Sequence, residues 1–564
     1  MRFSQIPYER PNFEEVEQML TKYIEDLKAS KSFKEMKQCY LNQQKQMEPM
    51  MTMNTVASIR NTIDTNDAFY EVEVNTFNQE IPKLDLLFQK ADQVILDSPY
   101  VEDFKKEFGP LMIEEMEIDQ KLSNEAIVED LATEAKLCQE YSKVSATCNT
   151  QFRGETCNFY GLLKHMQSTD RVERKEAFEA WAKLYQEAST ELDHIYDELV
   201  TLRKQMAKKL GFDSYIDLIY PKRGRFDYKP EDIAAFRKQV KESIVPICSE
   251  LYEEQRKRLG IDELYYYDES LVYPEGNAIP QGNKDELVAK AQKMYRELSK
   301  ETGEFFDSMV ENEMFDLETK QGKRPGGYCT YLAGYHTPFI FSNFNGTSAD
   351  VDVLTHEAGH AFESYTAGQY QPLRSMIFST SEINEIHSMS MEHFTYPWME
   401  QFFGENADKY RYAHLASALE VIPYMVCVDE FQHRVFEGEL SAADRRKVWH
   451  ELEQTYMPWR KYDGNVFLGE GGFWMQKQHI FLFPFYYIDY ALAQMGAFEF
   501  YGKMCEDKKK AWEDYYSLCK IGGSKGYFET LAYAGLSNPF QKGTVAKIAD
   551  FIQKKLEELV KLVE

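Results

Sequence analysis

The sequence predicts a mainly α-helical protein with one small β-hairpin, and three observations lead there. Over most of the 564 residues, apolar side chains recur at three- and four-residue spacing with charged faces between them. Strand character is confined to one stretch, residues 325–344. No repeat, low-complexity tract or long flexible linker divides the chain. A length of 564 fits three or four average domains, but the missing linkers favour interlocked helical lobes around one cleft. We expect an N-terminal helical region at 1–195 and a second region, with the chemistry-bearing motifs, at 196–564.

In chain order, helical periodicity covers 12–30, 80–107, 112–148, 171–210, 230–260, 283–312 and 543–563. Tyr215–Pro221 and Tyr265–Asp268 interrupt it as turns or lobe contacts, and Val272–Asn283, with two prolines and two glycines, is an irregular connection. Pro325-Gly326-Gly327 opens the strand-like part. Tyr328–Leu332 and Pro338–Phe344 read as its two strands, with His336 in the turn at the surface. Asn345–Asp350 is a turn-and-cap sequence: Thr347 and Asp350 stand at capping-box spacing, with Ser348 or Asp350 as alternative caps. A helix then starts near 349–351, carries an apolar stripe through Val351, Leu354, Ala358, Ala361, Phe362 and Tyr365, and stops at Gly368. Ser379 and Glu382 begin another helix, which Pro397 ends.

Composition excludes several classes of function. Acidic residues outnumber basic ones 93 to 65, a net charge of −28, which disfavours attraction to nucleic acid or an anionic membrane. No segment has the apolar length to span a bilayer, and the first residues lack a signal-peptide run. Nine cysteines without a pairing pattern fit a reducing compartment, so a cytoplasmic location is expected, with Cys329 as an oxidation-sensitive thiol; the chain is separately expected to be a monomer. In that compartment the Asn345-Gly346-Thr347 sequon carries no meaning.

The chemistry concentrates in His356-Glu357-Ala358-Gly359-His360. On a helix, positions i and i+4 share a face, so both imidazoles can reach one metal ion while Glu357 reaches a water beside it. Gly359 is the misfit, since a helical glycine costs up to about 1 kcal/mol relative to alanine; a close approach by another backbone or by substrate would explain it. A catalytic zinc takes three protein ligands and keeps one position open. Candidates for the third are Glu363, Glu382, Glu385, His387, Glu392 and His393. Glu363 is too close along the same helix, which favours a second helix crossing the first. On that helix Glu385 and Glu392 share a face with Ser388, and we assign Glu385 as ligand and Glu392 as the carboxylate that orients a histidine.

This helix pair resembles the zinc core of the thimet oligopeptidase and oligoendopeptidase F family, and within it the bacterial Pz-peptidases, named for a proline-containing, collagen-like test peptide. The resemblance covers roughly the C-terminal two thirds of the chain. It implies one zinc ion on His356, His360 and Glu385, with Glu357 as general base. The segment from His479 through Tyr486, Tyr487 and Tyr490 resembles the family stretch whose histidine and tyrosines face the scissile bond. It implies catalytic roles for His479, Tyr487 and Tyr490, with Tyr490 our first choice for the oxyanion donor and the division of roles among the three tyrosines open. A strand before the motif helix binds extended peptide in the family, which makes Gly326, Gly327 and Gly346 the expected substrate contacts. The family further implies helical lobes enclosing a deep channel, oligopeptide substrates and internal cleavage. Two alternatives remain. A zinc carboxypeptidase would need a fixed cation such as Lys323, Arg324 or Arg374 to catch a terminus, and a peptide-binding protein would have its zinc closed by a fourth ligand, His387 or His393.

Overall fold

The computed structural model describes residues 1–563, and they form a predominantly helical molecule with two small sheets. Helices begin where the sequence supplies caps. Asn12 accepts the N–H of Glu15 to open Phe13–Ala29, Asp170 accepts that of Val172 to open Arg171–Lys209, and Asn283 and Glu286 cap Lys284–Leu298 reciprocally. Several expected helices are split by local chemistry. The 80–107 stretch breaks after Leu96 and resumes at Val101, 112–148 breaks between Leu122 and Val128, 230–260 breaks at Ile244, and 283–312 breaks at Ser299, whose side chain caps the next helix. The 31-residue helix Phe33–Ile63 was not expected; it is rich in methionine and glutamine and contains Pro49. Tyr215–Lys222 is a short helix rather than a turn, and Tyr266–Asp268 a single 3-10 turn.

The expected division at 195/196 falls inside the unbroken helix Arg171–Lys209, whose Ile195 and Tyr196 are both core residues. A smaller apolar core joins Leu20, Leu27, Phe77 and Phe104 with Leu373 and Met376, which follow the motif helix in sequence. Conversely Phe3 and Ile6 belong to the larger core. Residues from both sides of 195/196 therefore share each of the two apolar cores.

Strands β1 (Asn149–Phe152) and β2 (Glu155–Asn158) form an antiparallel hairpin that the sequence reading missed. Strands β3 (Phe315–Glu318), β4 (Tyr328–Leu332) and β5 (Thr337–Phe344) form a sheet in the order β3-β5-β4. The expected hairpin is β4 and β5, and β3 adds to β5 in parallel. This leaves β4 at the edge, directly after Gly326 and Gly327. Among the described residues no helix is long and apolar enough to cross a membrane.

Candidate active site

The motif helix spans Ala349–Tyr370. Its start uses Asp350 rather than Thr347: the Asp350 carboxylate accepts the N–H groups of Asn345 (2.9 Å) and Gly346 (2.8 Å). The amide of Gly346 is thus committed to the turn. Gly368 is not the stop either, because the helix runs two residues past it, and its missing Cβ makes room for the Tyr331 hydroxyl of β4. The second helix, Ser381–Phe394, crosses the first where Gly359 sits. A Cβ on Gly359 would lie 2.6 Å from Ser388 Cα and 2.8 Å from the His387 carbonyl oxygen, so the glycine permits backbone contact between the two helices.

That contact brings His356, His360 and Glu385 together, with one donor atom from each within 4.8 Å of the others. The Nε2 atoms of His356 and His360 stand 3.3 and 3.4 Å from Glu385 Oε2. Donors placed tetrahedrally at zinc's usual 2.0–2.1 Å are about 3.3–3.4 Å apart, so the set fits a zinc ion by spacing as well as by donor type. Neither spare histidine joins. His387 Nδ1 donates to the Ile383 carbonyl (2.9 Å), and His393 is packed among Tyr396, Phe498 and Tyr501.

Glu392 lies behind His356, with Oε1 2.6 Å from His356 Nδ1 and Oε2 2.7 Å from His414 Nε2. Burial opposes its charge, but the hydrogen bonds from the two histidines hold its carboxyl down at about 2. An ionised Glu392 accepts from Nδ1–H, which fixes the tautomer and turns the Nε2 lone pair of His356 towards Glu385 and His360. His414 is buttressed in turn by the Tyr396 hydroxyl (2.6 Å). Glu357 is buried, and burial lifts its carboxyl above the ordinary range while the charges of His356 and His360 oppose the lift. A Cβ on Gly327 would be 3.4 Å from Glu357 Oε1, so the backbone leading into β4 passes directly over this carboxylate. Cys329 is half-buried, and burial together with the Glu357 charge pushes its thiol well up, away from the thiolate on which oxidation depends.

The tyrosines come from the loop 483–487 and the helix Ile488–Glu506. Tyr486 donates to Glu385 Oε1 (3.2 Å), and its ring stacks 5.9 Å from that of His479. Tyr490 stands edge-on to Tyr486 at 5.1 Å, and burial, then the charge of Glu385, push its phenol far up, so it remains an O–H donor. Tyr487 packs against His479 (4.9 Å between ring centroids) and Tyr490 (5.5 Å) as well as Tyr424, under Lys477. It lines a cavity of about 560 Å³ that also reaches Asp352 and His414. Burial, with Lys477 and Arg223 adding repulsion, lowers His479 to about 3, so its imidazole is neutral. Sequence reasoning missed the frame of this loop. Phe485 adopts φ 61° with its N–H donated to Gln432, while Arg223 bonds the Pro484 carbonyl and Arg225 bonds Asp489 (2.7 Å) and the Phe485 carbonyl. A non-glycine residue at positive φ gives no signal in sequence, and neither does a histidine 22 residues beyond its Glu392 partner.

A helical scaffold, a cluster of two half-buried histidines with one buried glutamate, and a neighbouring carboxylate define a metallopeptidase. Comparison with known proteins makes this specific. Residues 3–123 match the peptidase M3 N-terminal domain and residues 164–550 match peptidase family M3, and the chain belongs to that family. It is 24% identical over 509 residues to an oligoendopeptidase F homologue of Borreliella burgdorferi, covering 87% of this chain and 83% of the relative. Oligopeptidase PepF of Bacillus subtilis is 21% identical, with 92% and 80% covered. A solved structure of PZ peptidase A with an inhibitor superposes with a TM-score of 0.93 at 43% identity, covering 99% of both chains. The protein is a metallo-oligopeptidase of the M3 family.

Proposed function

We propose that this chain is a zinc-dependent oligoendopeptidase that cuts internal bonds of short peptides, proline- and glycine-containing collagen-like ones among them. The observation that carries the proposal is the set of three donors at zinc spacing with the Glu357 carboxylate buried beside it. His356, His360 and Glu385 would hold one zinc ion per chain. Bound there, zinc would polarise the scissile carbonyl and acidify water, lowering the water pKa towards about 7.

The chain's own residues account for the rest. The edge of β4, opened by Gly326 and Gly327, would pair with the backbone of an extended substrate and set one carbonyl over the cluster, largely independently of side chains. Glu357 would take a proton from the attacking water and pass it to the leaving amine nitrogen. Tyr490 would donate its O–H to the developing oxyanion, assisted by neutral His479. Tyr486 would steady Glu385, and Tyr487 would line the substrate cavity beyond the cut.

Internal cleavage is favoured by the likeness to oligoendopeptidase F relatives, and of the three cations that could catch a C-terminus Lys323 is already spent. Its ammonium is buried and bonded to Asp316 and to the carbonyls of Glu318 and Ser342. The collagen-like substrates rest on the likeness to PZ peptidase A. The test is digestion of peptides of graded length, blocked at both ends, alongside an unfolded protein, with products mapped by mass spectrometry. Internal cuts in the short blocked peptides alone are expected. Cleavage that requires a free C-terminus would overturn the endopeptidase reading.

A further inference from the structure

We propose that Glu155, Cys157 and His165 form a second cation site, separate from the M3 cluster, for a borderline-soft divalent ion such as zinc. One donor atom from each lies within 4.8 Å of the others, and a thiolate, an imidazole and a carboxylate are all zinc ligands.

The local fold explains why they meet. Arg153 and Gly154, at φ 49° and 90°, make the tight turn that pairs Phe152 with Glu155. Alternation along β2 then puts Glu155 and Cys157 on one face. Asn158 accepts the N–H of Gly161 (2.9 Å) and starts the helix Phe159–His165, which brings His165 back over that face.

A second, independent feature sits behind the imidazole. His165 Nδ1 is 2.6 Å from Glu173 Oε1, while Glu173 Oε2 accepts from Ser168 Oγ (3.0 Å) and Arg153 Nη1 (3.5 Å). With Nδ1 bound to a carboxylate, Nε2 is the nitrogen free for a metal, the arrangement that Glu392 imposes on His356. Tetrahedral zinc donors stand about 3.3–3.6 Å apart, and the exposed Glu155 side chain is free to rotate to meet that spacing. Cys157 would release its thiol proton to solvent on binding. A fourth position on the ion would face water. The site would pin the hairpin to the helix whose Leu163, together with the following Met166 and Gln167, lines the 560 Å³ cavity, so occupancy would stiffen one wall of it.

The experiment is a Co²⁺ titration of the full-length, metal-stripped protein followed by absorption. The His356, His360 and Glu385 cluster contains no sulfur, so a cobalt–thiolate charge-transfer band reports only on a cysteine site. We expect two equivalents to bind, with the thiolate band growing with the second. Cys157→Ser should abolish the band and leave peptidase activity at one equivalent unchanged. His165→Gln and Glu173→Gln should each weaken the second equivalent about tenfold or more, by removing a ligand and the group that orients it. His356→Ala/His360→Ala should keep the band. If Cys157→Ser fails to fold, as judged by circular dichroism, the His165→Gln and Glu155→Gln titrations decide. Absence of a thiolate band, or a band unchanged in Cys157→Ser or in His165→Gln, would overturn the proposal.

Discussion

Gly359→Ala adds one methyl group where the helices that carry His356, His360 and Glu385 touch, and the structure gives the size of the disturbance. The new Cβ would sit 2.6 Å from Ser388 Cα, against an ordinary contact of at least 3.4 Å, so the helices must separate by about 0.8 Å. The atoms it meets first, Ser388 Cα and the His387 carbonyl oxygen, are backbone and have no rotamer to yield. Alanine regains about 1 kcal/mol of helix propensity, while overpacking costs about 1–3 kcal/mol, so the net loss of stability is about 0–2 kcal/mol and the variant folds. The effect falls on function instead. His356 and His360 ride on one helix and Glu385 on the other, and metal–donor distances tolerate only about 0.2 Å. We expect zinc affinity, measured by competition with a chelator, to fall at least about tenfold. Turnover of a blocked peptide at saturating zinc should fall about a hundredfold, the usual consequence of misplacement on the order of 1 Å. A variant with raised melting temperature and unchanged affinity and turnover would refute the reasoning, because it would mean that the contact is not tight.

Glu357→Gln should retain zinc by metal analysis and lose about 10²–10⁴-fold in turnover, and near-normal turnover would remove the general-base role. Tyr490→Phe should lower kcat about 10²–10³-fold with KM little changed, whereas Tyr487→Phe should act mainly on KM. Glu392→Gln, which weakens the acceptor that fixes the His356 tautomer, should reduce zinc affinity about 10–100-fold by chelator competition. Burial, with Asp119 nearby, raises the Asp92 carboxyl from 3.8 to about 7, and burial with Asp119 and Glu114 raises Glu115 from 4.5 to about 7. The folded protein therefore binds more protons than the unfolded chain between those values, and their contribution to stability falls as pH rises from about 4 to about 7. Asp92→Asn should narrow the difference in melting temperature between pH 5 and pH 8, and an unchanged difference would contradict the assignment.

What could be read in the sequence was whatever is encoded locally. The motif helix was expected to start at 349–351 and starts at Ala349, and the strands expected at 328–332 and 338–344 are Tyr328–Leu332 and Thr337–Phe344. Cap residues, a helical face and turn glycines are short-range signals. Even the pairing of Glu385 with the two histidines was accessible, because it needs only one crossing helix and Gly359 marks where the crossing must occur. Gly368 shows the limit of the same logic: a glycine near a helix end reads as a stop, but here it is kept for Tyr331, a contact from a strand more than thirty residues earlier.

The tyrosines were harder for a related reason. Tyr486, Tyr487 and Tyr490 are equivalent in composition and close in sequence, and only the backbone separates their tasks. Phe485 at positive φ reverses the chain just before Tyr486, so Tyr486 meets Glu385 while Tyr487 meets Lys477 and Tyr424. The strain at Phe485 is held by groups from two other segments, Gln432 on its N–H and Arg225 on its carbonyl. Arg225 is in turn anchored by Asp489 one residue before Tyr490. The same buried ion pair therefore fixes the entry to the loop and the helix that carries the proposed oxyanion donor. Removing Arg225 would leave Asp489 buried without its hydrogen-bonded partner, with only the charge of Arg223 nearby, and release the constraint on both tyrosines together, so the two would lose their positions as a unit.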